Sequence, residues 1–190
     1  MQLKETLREE LAELRRQDAA EGAAVDRAIA EALIRSELYR DAATIFTYVG
    51  VGDEISTDPL IERALADGKR VCAPVVLGGG VMEAREIRSR GDLTRGAMNL
   101  IEPRGDRPLC EPADIDLVVV PCVSCDLRGN RLGRGGGYYD RYLKRFRPAS
   151  ATFVALCRER LLSQNLPRRP LDVRMGYYVT EAGFFAAIDA

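Results

Sequence analysis

Apolar residues three or four positions apart dominate the N-terminal part of the chain. This spacing places them on one helix face and predicts amphipathic helices over residues 2–18 and 24–39. Thr57, followed closely by Pro59, predicts the capped start of a further helix over residues 58–67, because proline is tolerated in the first turn of a helix. The leucines that carry the first pattern are Leu3, Leu7, Leu11 and Leu14.

Short runs of β-branched and aromatic residues alternate with the predicted helices. The run at 115–123 is continuously apolar, which is typical of a strand covered on both faces of its sheet. A last helix is expected over about 137–147, the segment 77–87 is predicted to turn into a further extended stretch, and 88–115 is predicted to be mainly loop. Because strands alternate with helices, the pattern predicts an α/β fold with a mainly parallel sheet. The predicted strands lie at 43–49, 70–76, 115–123, 151–157 and 176–181.

Glycines cluster between the run at 115–123 and the last predicted helix, in the stretch RLGRGGGYYDRYL. Glycine in a regular element costs roughly 0.5–1 kcal/mol relative to alanine, so the cluster indicates that something approaches the backbone closely. Amides without neighbouring Cβ atoms can converge on an anion, and Arg131 and Arg134 add charge that suits phosphate oxygens. The pattern favours a nucleotide triphosphate, although a flexible turn before a helix is the plainer alternative. It is not a P-loop, because no Lys-Ser/Thr pair follows the glycines.

Asp140 lies one turn into the helix predicted after the glycines. A carboxylate at this position can hold Mg²⁺, since this ion binds through a few carboxylates together with phosphate oxygens. The alternative is an ordinary first-turn acid that the helix dipole stabilises. Loops that follow parallel strands are the usual place for such ligands.

Composition limits the chemistry that the chain can use. It has 190 residues, with 28 basic and 29 acidic side chains and a net charge of −1, so we expect one domain and no bulk binding of nucleic acid. Histidine is absent. This excludes Ser-His-Asp and Cys-His catalysis, His-ligated zinc and an imidazole proton shuttle. Acid–base work would fall to carboxylates, lysine, tyrosine, cysteine or groups of the substrate.

The five cysteines and the N-terminal segment bear on location. The N-terminus is charged and lacks the apolar core of a signal peptide, and no apolar run reaches the ~18 residues needed to span a bilayer. We therefore expect a cytoplasmic protein with reduced thiols and no membrane contact. Cys122 and Cys125 form a lone CxxC, which suggests redox chemistry or half of a zinc site but is more typical of packing residues.

One long segment, DLVVVPCVSCDLRGNRLGRGGGYYDRYL, resembles the signature of the 5-formyltetrahydrofolate cyclo-ligase family. Further similarity lies in Lys4 and Arg8 on the first helix, in Glu54 within DEIST, in IEP at 101–103, and in LPRRPLD near the C-terminus. Without the resemblance, the two basic residues would be a solvated helix stripe and the glutamate an ordinary loop acid.

The resemblance implies a fold and a reaction. The fold is a single three-layer α/β domain over 1–190, related to the ribose-5-phosphate isomerase and CoA-transferase-like fold, with a helix at 1–18 that contributes to the ATP site. The reaction converts 5-formyltetrahydrofolate and ATP, with Mg²⁺ as cofactor, into 5,10-methenyltetrahydrofolate, ADP and phosphate. The expected partners are therefore ATP and a reduced folate, with no nucleic acid and no membrane, and the chain is expected to be a monomer or weak homodimer.

Specific residues follow from the same resemblance. It implies catalytic roles for Lys4, Arg134 and Asp140, and Mg²⁺ ligands in Asp140 and Asp172. The substrate would contact Val49, Glu54, Arg134, Gly135, Gly136, Gly137 and Tyr138. The ATP site would comprise Lys4, Arg8, Arg131, Leu132, Gly133, Arg134, Gly135, Gly136, Gly137, Tyr138 and Tyr139.

The chain departs from the usual family pattern at Cys125, Leu161, Leu171 and Gly176. These positions motivate an alternative, a catalytically weak or inactive relative that binds folate or nucleotide as a sensor. A second alternative is a sugar-phosphate isomerase or CoA-transferase relative, because a fold does not fix a function.

Overall fold

Three helices open the chain and strands dominate its remainder in the computed structural model, which describes residues 2–147 and 150–188; the other positions of the predicted 1–190 domain lie outside the described residues. The helices are α1 (Gln2–Glu21), α2 (Ala23–Ile34), α3 (Glu37–Asp41), α4 (Asp58–Ala66) and α5 (Tyr138–Leu143). The strands are β1 (Thr44–Thr47), β2 (Arg70–Gly78), β3 (Val81–Ile87), β4 (Leu93–Arg95), β5 (Ile101–Pro103), β6 (Leu109–Cys110), β7 (Leu117–Pro121), β8 (Ser124–Cys125), β9 (Arg131–Leu132), β10 (Thr152–Leu156), β11 (Tyr177–Thr180) and β12 (Gly183–Ala186).

Eight of the described strands form one sheet in the order β12-β11-β10-β7-β1-β2-β3-β6. The strands from β11 to β2 run parallel to their neighbours, whereas β12, β3 and β6 add antiparallel edges. Two further antiparallel pairs, β4 with β5 and β8 with β9, lie outside this sheet. The predicted α/β class with a mainly parallel sheet is confirmed.

Alternate side chains of the central strands enter two separate cores. Ile45 of β1 lies in the first core and Phe46 in the second, and Leu117 and Val118 of β7 divide in the same way. This is the expected consequence of the two-residue period of a strand, and it places helices on both faces of the sheet. Helices α2 and α4 cover the first core with Ile29, Leu33, Leu60 and Ile61, and helices α1 and α5 cover the second with Leu11, Leu14, Tyr142 and Leu143.

Ser36 divides the helix that the sequence predicted over 24–39. Its hydroxyl donates to the carbonyl oxygen of Leu33 at 2.7 Å and accepts from the amide of Tyr39 at 3.2 Å. Serine competes with the backbone for such hydrogen bonds, so α2 ends here and α3 begins with Ser36 as its cap. The prediction of one uninterrupted helix was wrong.

Thr57 precedes α4 as predicted, but it does not cap the helix with its side chain. Its hydroxyl donates instead to the carbonyl oxygen of Tyr48 at 2.5 Å. This bond joins the start of α4 to the residue that follows β1, and it closes the base of the loop at 50–56. The loop carries Glu54, so the contact positions a predicted site residue.

The segment 88–115, predicted to be mainly loop, contains β4, β5 and β6 together with short 3-10 turns. These strands are two or three residues long, and β8, β9 and β12, which the sequence also did not predict, have at most four residues. Apolar periodicity needs a longer window than such short elements provide.

Cys72 of β2 and Cys110 of β6 are joined by a disulfide. The expectation of reduced thiols is therefore wrong for this pair, whereas Cys122, Cys125 and Cys157 are free thiols. Sequence spacing could not reveal the pair, because its members are 38 positions apart and belong to strands whose pairing only the fold defines. Within the described part of the chain, no helix is both long and apolar enough to cross a bilayer.

A buried ion pair joins α2 to the carboxyl end of β10. Arg158 is 3% exposed and Asp26 is 6% exposed. Two guanidinium nitrogens of Arg158 contact Asp26 Oδ1 at 2.8 and 3.0 Å, and a third donates to the carbonyl oxygen of Asp53 at 3.3 Å. The other oxygen of Asp26 accepts from the amide of Ser56 at 2.9 Å. The pair therefore holds the loop at 50–56 from within the protein.

Candidate active site

Basic side chains of α1 contact the loops at the carboxyl ends of the parallel strands. The Nζ atom of Lys4 lies 2.5 Å from Oδ2 of Asp172, and Nε of Arg8 donates to the carbonyl oxygen of Gly133 at 2.6 Å. The two residues share one helix face because they are four positions apart. They are therefore not a solvated stripe, and Lys4 is buried to 6% exposure.

The glycine loop at 133–137 connects β9 to α5 and is fixed by an arginine of that helix. The guanidinium of Arg141 donates to the carbonyl oxygen of Gly136 at 2.5 Å and to that of Gly80, in the β2–β3 turn, at 2.8 Å. Gly135 and Gly137 have φ values of 104° and 67°, which side chains rarely tolerate. The loop therefore needs glycine at these two positions for its backbone path.

The two predicted metal-binding residues are linked through the backbone. Oδ1 of Asp140 accepts from the guanidinium of Arg131 at 2.7 Å and from the amide of Val173 at 3.0 Å. Because Val173 directly follows Asp172, this hydrogen bond brings the backbone at Asp172 next to Asp140. Each carboxylate has a cation as partner, Arg131 for Asp140 and Lys4 for Asp172.

The pKa of Asp172 is lowered by its surroundings. Burial raises this pKa, but hydrogen bonds from Lys4 and from the amide of Arg169, with the charges of Lys4 and Arg131, lower it by more. Asp172 is therefore ionised at neutral pH and is available as an oxygen ligand. A carboxyl group with a lowered native pKa stabilises the fold above its ordinary pKa of about 3.9, and this contribution is lost as the pH falls through the native value.

Lys4→Met is expected to reduce stability at neutral pH but not in strong acid. The substitution removes the main partner of Asp172, so the native pKa of that carboxyl should return toward its ordinary value. The difference in the free energy of unfolding between the two proteins should persist at pH 7 and close as the pH falls below about 4. Urea unfolding at a series of pH values measures it, and a difference of equal size at pH 7 and at pH 3 would contradict the assignment.

Arg134 bridges the glycine loop to the loop at 50–56. Its Nε contacts Oε1 of Glu54 at 2.9 Å, and its Nη2 contacts Oδ1 of Asp53 at 2.5 Å. The second oxygen of Glu54 accepts from the amide of Val51 at 3.1 Å, and Arg15 of α1 contacts the second oxygen of Asp53 at 2.6 Å. Both oxygens of each carboxylate therefore have partners in this arrangement.

Other predicted site residues have side chains directed into the core. Leu132 and Val49 are buried in apolar clusters, so only their backbone atoms can face a ligand at the loop. Val49 also borders an open cavity of ≈ 410 Å³ next to the β4–β5 pair. The hydroxyl of Tyr139 is buried and has no hydrogen-bond partner among the described residues, and burial raises its pKa, so the group is neutral. The Tyr138 ring lies 5.6 Å from the guanidinium carbon of Arg141.

The sequence did not identify Arg15 and Asp53 as members of this polar network. Arg15 follows Arg8 by about two helical turns, so the same face of α1 carries three basic residues that contact the loops. This spacing is visible in the sequence. Asp53 adjoins Glu54 but had no signal of its own, because its role depends on the fold that brings Arg15 and Arg134 together.

Known proteins of one family resemble this chain over nearly its full length. Residues 1–181 match the model of the 5-formyltetrahydrofolate cyclo-ligase family. A 5-formyltetrahydrofolate cyclo-ligase of Escherichia coli is 30% identical over 142 residues, covering 73% of this chain and 78% of the relative. One of Mycolicibacterium smegmatis is 33% identical over 146 residues, covering 72% and 73%. The solution structure of an Aquifex aeolicus 5,10-methenyltetrahydrofolate synthetase superposes with a TM-score of 0.86 at 28% identity, covering 99% of this chain and 94% of the other.

Proposed function

The chain belongs to the 5-formyltetrahydrofolate cyclo-ligase family, and we propose that it uses ATP to close 5-formyltetrahydrofolate to 5,10-methenyltetrahydrofolate with release of ADP and phosphate. The observation that carries the proposal is the convergence of cations and carboxylates on one glycine loop. Arg8 of α1 contacts this loop, Lys4 of the same helix contacts Asp172, and Arg134 is part of the loop; Asp140 follows the loop on α5.

The chemistry of a formamide explains the need for ATP. Amide resonance makes the N5-formyl carbon a poor electrophile. Transfer of the γ-phosphoryl group to the formyl oxygen releases ADP and leaves an activated iminium phosphate. N10 then attacks the formyl carbon and closes a five-membered ring, the N10 proton passes to solvent, and the C–O bond breaks as phosphate leaves. No histidine is required for these steps.

The protein's main task in such a transfer is to hold the formyl oxygen in line with the γ-phosphate and to balance charge. Lys4 and Arg134 suit this role, since both are cations. Asp172 holds Lys4, and two carboxylates of the loop at 50–56 hold Arg134. Arg8 and Arg131 flank the glycines and would contact the other phosphates. The glycines themselves would bring backbone amides to the triphosphate.

Asp140 and Asp172 fit a Mg²⁺ ion. Carboxylate oxygens are ligands that Mg²⁺ prefers, and a pair of them beside a phosphate-binding loop matches its usual protein environment. Held by these two carboxylates, Mg²⁺ would neutralise negative charge on the phosphates. Arg131 and Lys4 hold the two carboxylates in place and keep Asp172 ionised.

Glu54 is the proposed ligand of the pterin. A carboxylate can accept two hydrogen bonds from the amino and N–H groups of a pterin ring. Arg134 holds one oxygen of Glu54 and the amide of Val51 holds the other, so a pterin ring that binds both oxygens competes with these contacts. Phosphate oxygens offer Arg134 a stronger alternative acceptor. We therefore propose that ATP binds before the folate and releases Glu54.

Glu54→Gln is expected to raise KM for 5-formyltetrahydrofolate about tenfold or more, because a hydrogen bond to a charged group contributes about 1.5–3 kcal/mol. KM for ATP should not rise, because the glutamine competes less strongly with the phosphates for Arg134. Steady-state kinetics with each substrate varied in turn measure both effects. Glu62→Gln, at an exposed acid on α4, is the matched control and should leave both values unchanged. An unchanged folate KM in Glu54→Gln would remove this residue from the pterin site.

The departures from the family pattern lie in different environments. Cys125 and Leu161 are buried, whereas Leu171 is 69% exposed and Gly176 lies at the surface. Leu171 precedes Asp172, so this difference borders the proposed metal site without removing its carboxylate.

We expect the chain to act as one domain in the cytoplasm, as a monomer or weak homodimer, without nucleic acid or a membrane.

Turnover with and without nucleotide tests the proposal. The protein is incubated with 5-formyltetrahydrofolate, Mg²⁺ and ATP, and the near-ultraviolet band of the methenyl product is followed. We expect product only when ATP and Mg²⁺ are both present. Tight folate binding without product would favour a sensor, and activity on a sugar phosphate or a CoA ester without ATP would favour the isomerase or transferase alternative.

A further inference from the structure

Three free thiols converge beneath the glycine loop, although they come from three separate segments. Cys122 follows β7, Cys125 lies in β8, and Cys157 follows β10. Their Sγ atoms all lie within 4.8 Å of one another. Cys125 and Cys157 are almost fully buried, whereas Cys122 is partly exposed. The proposed ATP chemistry uses none of these groups.

The separation of the sulfurs suits a bound ion. A metal at the centre of three thiolates, with metal–sulfur bonds of about 2.3 Å, requires sulfurs about 4.0 Å apart. The cluster therefore has to contract by less than about an ångström, which side-chain torsions can supply. Cys122 at the edge of the cluster gives an ion access from the surface.

Positive charge lies near the cluster. The charges of Arg131 and Arg15 both act on the thiol of Cys122. Arg131 is buried, and its Nε has no hydrogen-bond partner among the described residues. Three thiolates around a monovalent cation carry a net charge of −2, which the two guanidinium groups offset in part, since each of them also pairs with a carboxylate.

We propose that Cys122, Cys125 and Cys157 form a three-coordinate thiolate site for a soft monovalent ion of the copper(I) class. Thiolate ligands select soft ions. Zinc in structural sites takes four ligands, and the chain has no histidine to complete such a set. No carboxylate of the described residues joins the cluster.

The site would connect two parts of the candidate active site. Cys125 is paired with Arg131 across the β8–β9 ladder, and Arg131 holds Asp140. Cys157 precedes Arg158, which supports the loop at 50–56. An ion bound by the three sulfurs would therefore fasten the base of the glycine loop to the end of β10.

Copper(I) titration of the whole protein, with the three cluster thiols reduced and the Cys72–Cys110 disulfide intact, tests the site. Under anaerobic conditions the protein competes with a chromogenic copper(I) chelator, and the thermal midpoint is followed in parallel. We expect one equivalent to be withdrawn from the chelator and the midpoint to rise, because an ion that binds only the folded state stabilises it. Zinc(II) titrated in the same way should bind far more weakly.

Single serine variants locate the ion. Cys122→Ser, Cys125→Ser and Cys157→Ser should each lose the bound equivalent and the rise in midpoint, and circular dichroism checks that each variant is folded. The double variant Cys72→Ser, Cys110→Ser removes the disulfide outside the cluster without leaving a free thiol; it is the matched control and should still bind one equivalent. The proposal is overturned if the unsubstituted protein withdraws no copper(I), if the folded cluster variants bind as well as it does, or if zinc(II) binds equally tightly.

Discussion

Asp140→Asn is expected to lower kcat about 100-fold or more with Mg²⁺ and ATP, the size of effect seen when a group that stabilises transition-state charge is removed. The substitution keeps the shape of the side chain but removes the negative charge proposed to hold Mg²⁺. Asparagine can still accept a hydrogen bond from Arg131 or from the Val173 amide, which both contact Asp140 Oδ1. We therefore expect the fold to remain intact.

Kinetics at several Mg²⁺ concentrations separate this effect from a general loss of activity. The variant should need more Mg²⁺ for half-maximal rate if Asp140 binds the ion. Asp41→Asn is the matched control, since Asp41 lies at the end of α3 and is exposed, and it should leave kcat and the Mg²⁺ dependence unchanged. Unchanged kinetics in Asp140→Asn would exclude this residue from the active site.

Arg158→Met is expected to lower the free energy of unfolding by about 3–5 kcal/mol, because removing one partner of a buried ion pair leaves an uncompensated charge in the interior. Asp26 would be that charge. It is 6% exposed, and it would keep only the amide of Ser56 as a described hydrogen-bond donor. The carbonyl of Asp53 would also lose its contact with Arg158. The loop that carries Glu54 should loosen as a result.

Equilibrium unfolding in urea measures the effect, and Arg35→Met supplies the comparison. Arg35 contacts Glu31 at 3.0 Å on the same helix as Asp26, but both side chains are exposed. Such surface pairs contribute about 0–1 kcal/mol. Similar losses of stability in the two variants would mean that burial of the Arg158–Asp26 pair has no special weight in this fold.

Sequence patterns predicted the elements that are long enough to show a repeat of apolar residues. The long apolar periods gave α1 and the central strands, because burial on one or both faces imposes those periods. Ser36 and Thr57 were harder, since each hydroxyl could bond to several backbone groups and only the fold decides which. The β4–β5 and β8–β9 pairs are too short to carry a period.

The residues of the candidate site also fall into two groups, those adjacent in sequence and those that only the fold brings together. The glycine cluster and Asp140 are adjacent in sequence, so their chemistry could be predicted from the residues. Lys4 and Asp172 are 168 positions apart, and their pairing was expected only through the family resemblance. Cys157 could not be linked to Cys122 and Cys125 from spacing, because β7 and β10 become neighbours only when the parallel sheet forms.

A crystal structure with a non-hydrolysable ATP analogue, Mg²⁺ and 5-formyltetrahydrofolate tests the central claim most directly. The account predicts the triphosphate against the backbone amides at 133–137, with Lys4 and Arg8 on phosphate oxygens and Mg²⁺ between Asp140 and Asp172. Arg134 should have left Glu54, whose carboxylate should contact the pterin ring. A triphosphate bound elsewhere, with the glycine loop empty and Arg134 still on Glu54, would contradict it.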